Sequence, residues 1–554
     1  MAMIRFIPSD KAVFVADGTN LLEAARKAGV SIAAPCDGTG TCGKCRVKIP
    51  ATQQRNFEEA PHEWLTQAER GEGWALACQS TVQGDLLVEP DSCADDDLKI
   101  LSEGHIVTVE LDAWITKTFD ASAARTTVTA GGALLATEPG DTTAALFGAA
   151  VDIGTTTLVV ALIDLRDGRE LAIASSLNPQ ARHAQDVLSR IKLGSQPQGL
   201  QLLHGELIGE LNRLVGAAAA EADVPVRHIY EAVFSGNTTM LHLATATNPA
   251  SLGKHPYTPA LQGGQHVSAA DIGLVMAPRG LVYLPPIMSA YVGADITSGI
   301  LATKLAEQRG VTLFVDIGTN GEMVLAANGQ LTATSTAAGP AFEGMNIACG
   351  MRASRGAIEQ VSLSGNDVEI KTIANAEPVG LCGSGLLDVV GELAAHGGVD
   401  KNGRFQTNGS LPDRQWKDRF GSLDGKPVFR IADPVYLSQK DVRQVQLAKA
   451  AVRAGIELLL RSHGLVAAQV DRVLIAGSFG FHLRTASLIH LGLLPREFKD
   501  RVEFVGNTSK SGARAFLLNR RLRDELKQPV QRVHVLELAN DPAFEKTFLK
   551  ALSF

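Results

Sequence analysis

Three cysteines, Cys36, Cys42 and Cys45, have five and then two residues between them, and Cys78 follows after 32 more. Thiolates are ligands for zinc and iron, and a two-iron cluster needs four, with three from one wrapping loop and one from elsewhere. The segment Asp37-Gly38-Thr39-Gly40-Thr41 suits that arrangement. Its glycines let the backbone curl close to a cluster and aim N–H groups at sulfur. Zinc is a rival, although its four-cysteine sites usually come as paired short spacings, and here Cys78 stands alone. Buried structural thiols are the other rival, against which Asp37, Lys44 and Arg46 make the loop polar for core filling. Cys93, Cys349 and Cys382 fall outside the pattern and read as small core or linker residues.

A second chemistry is written twice. Val151-Asp152-Ile153-Gly154-Thr155-Thr156 recurs as Val315-Asp316-Ile317-Gly318-Thr319-Asn320, an offset of 164 residues. In each copy a carboxylate ends a strand, and a glycine opens a turn whose backbone N–H groups and hydroxyls suit phosphate oxygens. Asp152 and Asp316 are oxygen ligands of the kind Mg²⁺ takes, directly or through water. Turns after strands use the same residues, so the duplication carries more weight than either copy. No G-x-x-x-x-G-K-[ST] occurs at either position, which excludes a Walker A loop there. Glu322 is a candidate water-orienting carboxylate, or else a solvent-facing strand residue. Gly477-Ser478-Phe479-Gly480 follows the apolar run Val473–Ala476, a loop at the carboxyl end of a strand, where open α/β sheets bind ligands. Gly380–Gly385 precedes a helical run and suits either an anion-binding helix terminus or, more commonly, a tight structural turn.

The elements that must position these residues follow from periodicity. Ile4, Phe6, Val13 and Val15 alternate around a polar turn, and Asn20 with Glu23 opens a short helix that Gly29 stops. Residues 1–92 form one expected domain, and the acidic run after Pro90 reads as a linker. Residues 93–148 are expected to be that linker and a small connecting domain, with β-prone runs such as His105–Leu111 and a Gly/Thr-rich stretch at 129–143. From 149 to 554 strands alternate with helices, an α/β pattern, in halves of about 149–308 and 309–554. Ser438 caps a helix whose Val442, Val445, Ala448, Val452, Ile456 and Leu459 form one buried stripe ending near Gly464.

Composition bounds the rest. The 554 residues carry 52 basic and 59 acidic side chains, a net charge of −7, with 45% apolar residues. A soluble multidomain chain is implied, and a nucleic-acid binder, which clusters positive charge, is not. The amino terminus lacks a secretory pattern and no apolar run reaches a membrane span, so a cytoplasmic protein with no membrane partner is expected. An odd cysteine count of seven suits a reducing compartment better than a disulfide framework.

The cysteine loop resembles that of [2Fe–2S] ferredoxins, with one residue more than the plant-type spacing, as in adrenodoxin-like members. That resemblance spans about residues 1–90, includes Leu76-Ala77-Cys78-Gln79, and implies a β-grasp fold with Cys36, Cys42, Cys45 and Cys78 as ligands. The paired Asp-Ile-Gly-Thr loops resemble the actin, sugar-kinase and Hsp70-like ATPases. It implies Asp152, Gly154, Thr155 and Thr156 as a first phosphate loop, Asp316, Gly318, Thr319 and Asn320 as a second, and Gly477, Ser478, Phe479 and Gly480 on the adenosine side. With Ser235-Gly236-Asn237-Thr238-Thr239 and Ser438-Gln439-Lys440-Asp441-Val442-Arg443, nearly the whole chain resembles the reductive activators of corrinoid-dependent methyltransferase systems. The expectation is a multidomain α/β enzyme with a [2Fe–2S] cluster, ATP and Mg²⁺. It would take electrons from a low-potential donor and return cobalt(II) to cobalt(I) in a partner corrinoid protein, with room for a homodimer. A small-molecule kinase with a regulatory cluster, or a non-enzymatic actin- or chaperone-like module with a redox-sensing domain, are the other readings.

Overall fold

The computed structural model describes every residue except Ser31, 33–39, Thr41, Cys42, Lys44, Glu63, 92–106, 365–366, 407–414 and 478–482. It divides into two compact units, one of Met1–Lys99 with Pro340–Gln446 and one of Ile100–Gly339 with Leu447–Phe554.

The first unit opens with strands β1 (Ala2–Phe6) and β2 (Lys11–Val15), whose alternation buries Ile4, Phe6 and Val15. Helix α1 (Leu21–Lys27) follows, and the Asn20 side chain accepts from the amides of Leu22 and Glu23, so Asn20 alone supplies the cap. Gly29, at φ +65°, ends the turn in the left-handed region. Strands β3 (Arg46–Lys48), β4 (Trp74–Leu76) and β5 (Leu86–Pro90) complete a five-stranded sheet in the order β2-β1-β5-β3-β4, with β1 and β5 parallel. Leu21, Leu22 and Ala25 pack from the helix onto Val47, Leu76 and Val88 of the sheet, the expected β-grasp.

In the second unit, β6 (Ile115–Asp120), β7 (Arg125–Ala130) and β8 (Ala133–Pro139) form a small antiparallel sheet. The β-prone run His105–Leu111 is not a strand over its described part, 107–111, and pairing begins instead at Ile115, where the apolar positions face a core. Two larger sheets then repeat one plan. In the first, β9 (Phe147–Ile153), β10 (Thr157–Asp164) and β11 (Glu170–Leu177) are antiparallel, and β12 (Ile229–Gly236) and β14 (Leu281–Leu284) run parallel to β9, with β13 (Gln265–Ser268) at the edge. Helices α2 (Val187–Gly194), α3 (Pro197–Glu221) and α4 (Thr238–Ala244) lie between these strands, and α5 (Ala294–Ala302) follows β14. In the second sheet, β15 (Thr312–Ile317), β16 (Gly321–Ala327) and β17 (Gln330–Thr336) are antiparallel. Next to β15 lies β18 (Arg472–Ala476), parallel to it, then β19 (Val502–Gly506). Helix α6 (Gln439–Ser462) precedes β18, and α7 (Thr508–Leu518) follows β19. The buried stripe of α6 from Val442 to Leu459 is as the spacing requires, and Ser438 caps it against the Asp441 amide.

Residues 340–446, placed between β17 and β18 in the chain, group with the first unit instead. There the Lys440 ammonium sits 4.0 Å from the ring centroid of Trp64. Gly380–Gly385 forms a two-residue strand and the start of the helix Gly383–Ala395. A Cβ on Gly385 would meet the Ile358 carbonyl at 2.1 Å and one on Gly380 the Cys349 carbonyl at 2.8 Å, so these glycines serve close strand packing.

Candidate functional site

In the ferredoxin-like part Cys45 and Cys78 are buried side by side, the Cys78 amide donating to Cys45 Sγ at 3.4 Å. Gln79 Nε2 donates to Cys78 Sγ at 3.6 Å, and Asn20 Nδ2 holds the Cys78 carbonyl at 2.8 Å. N–H groups aimed at sulfur favour thiolate over thiol, as a cluster ligand requires. Trp64 Nε1 donates to the Gly40 carbonyl at 2.8 Å, and a Cβ on Gly43 would strike the Trp64 ring at 2.8 Å, so these two glycines rest directly on this side chain. Cys36 and Cys42 lie outside the described residues, as does Cys93. Cys382 is buried against the Ile358 carbonyl and Ser384, and Cys349 accepts from the Tyr436 amide, which suits packing roles for both.

The two Asp-Ile-Gly-Thr loops are the turns β9–β10 and β15–β16, equivalent corners of the two sheets. Their tips meet: Thr156 Oγ1 and Thr319 Oγ1 are 3.4 Å apart. Behind each tip the following parallel strand ends on a glycine pressed against it. A Cβ on Gly236 would lie 2.6 Å from the Ile153 carbonyl, and one on Gly477 2.2 Å from that of Ile317. Gly477 has φ +110°, a conformation closed to most side chains, and a Cβ there would also lie 2.9 Å from Asp316 Oδ1. Ser478, Phe479 and Gly480 lie outside the described residues.

Four carboxyls interact around these tips. Asp152 accepts from Asn507 Nδ2 at 2.8 Å and from Ser509 Oγ at 2.7 Å, both on the turn that opens α7. Burial raises its pKa, against the pull of those two donors and of Lys510. Asp295, in the first turn of α5, is pushed up to about 7 by burial and by the charge of Asp152. Asp316 is pushed up to about 8 by burial and by Asp295 and Asp152. Glu322 faces Asp316 across the β15–β16 pair, only 7% exposed, and burial together with Asp295 and Asp316 holds it well above the usual carboxylate range. It is therefore not a solvent-facing strand residue. Among the described residues, no three of these groups converge closely enough to enclose a metal by themselves.

Asp295, Asn507 and Ser509 escape sequence reasoning. The available signal was the second appearance of a strand, a glycine and a small polar helix start, Gly293-Ala294-Asp295 after β14 and Gly506-Asn507-Thr508-Ser509 after β19. Helices α5 and α7 cross tightly, a Cβ on Gly512 meeting the Ser298 carbonyl at 2.2 Å, so their amino ends reach the same place.

Residues 6–83 match the family described as 2Fe-2S iron-sulfur cluster binding domain, residues 147–308 the RACo middle region, and residues 310–554 the C-terminal domain of RACo, the ASKHA domain. The corrinoid activation enzyme RamQ of Eubacterium limosum is 33% identical over 420 residues, 74% of this chain and 70% of that protein. The Co(II) methylated amine-specific corrinoid protein reductase of Methanosarcina barkeri is 27% identical over 298 residues, 49% of this chain and 51% of its own. Among solved structures, a reductive activator for corrinoid,iron-sulfur protein superposes with a TM-score of 0.74 at 32% identity, covering 100% of this chain and 98% of the other. Among the described residues no helix is long and apolar enough to cross a membrane.

Proposed function

The chain belongs to the RACo family, and from that premise we propose that it is an ATP-dependent reductive activator, which passes single electrons to cobalt(II) in a partner corrinoid protein and regenerates cobalt(I). The observation that carries the reading is the meeting of Thr156 and Thr319 among four coupled carboxyls, on a chain that also bears a ferredoxin-type cysteine site. Cys36, Cys42, Cys45 and Cys78 would hold a [2Fe–2S] cluster, which supplies one electron at a time from an external low-potential donor. The need for ATP follows from potentials. A plant-type centre sits near roughly −400 mV, protein-bound cobalt(II) corrinoid is reduced below that, and each ~59 mV is a factor of ten for one electron.

The chain's own residues divide the ATP-side work. Thr155, Thr156, Thr319 and Asn320 would face phosphate oxygens from opposite sides, with Gly477–Gly480 toward the adenosine. Asp152, oriented by Asn507 and Ser509, and Asp316 would take Mg²⁺, whose charge would offset the burial that raises both carboxyls. Asp295, with its pKa near neutrality, fits the base that orients the attacking water, and Glu322 is the other candidate. Positioning and charge neutralisation, not a covalent intermediate, would lower the barrier. Nucleotide-driven rearrangement would then bias cobalt reduction.

The reading is tested by mixing the reduced protein with an oxidised corrinoid protein and following cobalt(I) absorbance. A yield that depends on ATP, with release of phosphate and no phosphorylated metabolite, is expected. The same yield with and without ATP would overturn it.

A further inference from the structure

The first phosphate loop is held from behind at three consecutive carbonyls. Asn178 Nδ2 donates to the Gly154 carbonyl at 2.9 Å, Arg190 Nη2 to that of Thr155 at 2.6 Å, and the Asn178 amide to that of Thr156 at 2.8 Å. The donors are deeply buried, Asn178 at 1% and Arg190 at 0% exposure. They are themselves fixed. Arg190 donates from Nε to the Ala184 carbonyl and from Nη1 to Gln180 Oε1, both at 3.0 Å, and Gln180 Nε2 is anchored to the Leu203 carbonyl at 2.9 Å. Asn178 Oδ1 accepts from the Gln180 amide at 3.1 Å, which closes the network. Asn237 Nδ2 adds a bond to Thr155 Oγ1 at 3.0 Å.

A buried arginine spent on a backbone carbonyl is costly to desolvate. The equivalent corner of the second sheet differs at the position of Asn178. Thr157 pairs with Leu177 and Gly321 with Thr336, so the position equivalent to Asn178 is Ala337, which has no side-chain donor. In a trans peptide the N–H of residue i+1 points opposite to the C=O of residue i. Holding the Gly154 and Thr155 carbonyls therefore turns the Thr155 and Thr156 N–H groups away from the brace.

We infer that Arg190 and Asn178 are positioning residues that pre-aim the Thr155 and Thr156 amides at nucleotide phosphate, making the first loop a preset phosphate cradle. This rests on the nucleotide reading above. Pre-aimed dipoles bind phosphate without the cost of ordering the loop, so the brace acts on the phosphate-dependent part of affinity alone.

The experiment compares ATP with adenosine by calorimetry on the full chain, its Arg190→Met variant and its Asn178→Leu variant. The latter is near-isosteric and neutral, so it removes the side-chain donor to Gly154 without placing charge near the phosphates. The wild-type chain should prefer ATP to adenosine. Each variant should lose about tenfold or more in ATP affinity, as expected for misaimed donors, with adenosine affinity within about twofold. If Arg190→Met fails to fold, the neutral Asn178→Leu decides. Equal weakening toward both ligands, or no weakening, would overturn the brace alone. A wild-type chain that binds neither ligand would overturn the nucleotide reading, and the brace with it.

Discussion

Asp295 shows how position alone changes a residue's chemistry. It starts a helix whose Gly293 side adds no side-chain cap, and buried beside Asp152 it keeps its proton up to about pH 7. A base works as the carboxylate, so ATP hydrolysis should show an acidic limb, lost as pH falls through the ionisation of Asp295, which a cation beside Asp152 brings below about 7. Asp295→Asn is expected to lower kcat by about 10²–10⁴ and flatten that limb, with ATP affinity little changed. A steady-state pH profile of phosphate release checks this, and an unaltered limb in the variant assigns the ionisation elsewhere. The sequence exposed Asp152 and Asp316 because their loops repeat. Asp295 stands in no repeat of its own type, and only burial makes it unusual.

Among the elements, the small sheet β6–β8 is tied to the first large sheet by a polar joint. Lys117 Nζ of β6 and Tyr230 OH of β12 both donate to Glu138 of β8, at 2.6 and 2.7 Å, and Thr142 donates as well. Burial opposes ionisation of Glu138, but these three donors outweigh it and hold the carboxyl at about 2. A depressed pKa stabilises the fold above the unfolded value of about 4.3 and is lost as pH falls toward 2. Glu138→Gln should cost about 1–3 kcal/mol at pH 7 and little near pH 2. Thermal unfolding at the two pH values measures the difference, and an equal cost at both would show that the charge is not what joins the sheets. The elements themselves were largely legible, since β1, β2, α1 and α6 follow from alternation, caps and an apolar stripe. The run His105–Leu111 was not, because β-prone residues form a strand only where a neighbour offers a ladder.

At the scale of the molecule, two chemistries share one chain and should fail separately. Cys45→Ser is expected to abolish cobalt reduction and visible colour while leaving ATP affinity within about twofold. Asp152→Asn should spare the colour and weaken Mg²⁺-dependent ATP hydrolysis by about tenfold or more, since a neutral amide is a poorer Mg²⁺ ligand. Anaerobic spectra with parallel hydrolysis assays distinguish the two. A colourless Asp152→Asn protein, or a Cys45→Ser protein without nucleotide affinity, would mean that the sites are not independent. That residues 340–446 group with 1–99 and not with the rest of the nucleotide fold was not visible in the alternation of strands and helices, which carries no record of what an insertion packs against.

Sequence alone determined the ligand types and the duplicated loops, because thiols, carboxylates and glycines at short spacing act locally and declare their chemistry within a few residues. Only the tertiary structure decided what surrounds them. Asn507 reaches Asp152 across 355 residues of chain, and Arg190 reaches Thr155 across 35. Asn507 meets Asp152 because α7, which follows β19 of the second sheet, crosses tightly onto α5 beside the first, a contact that no local spacing records.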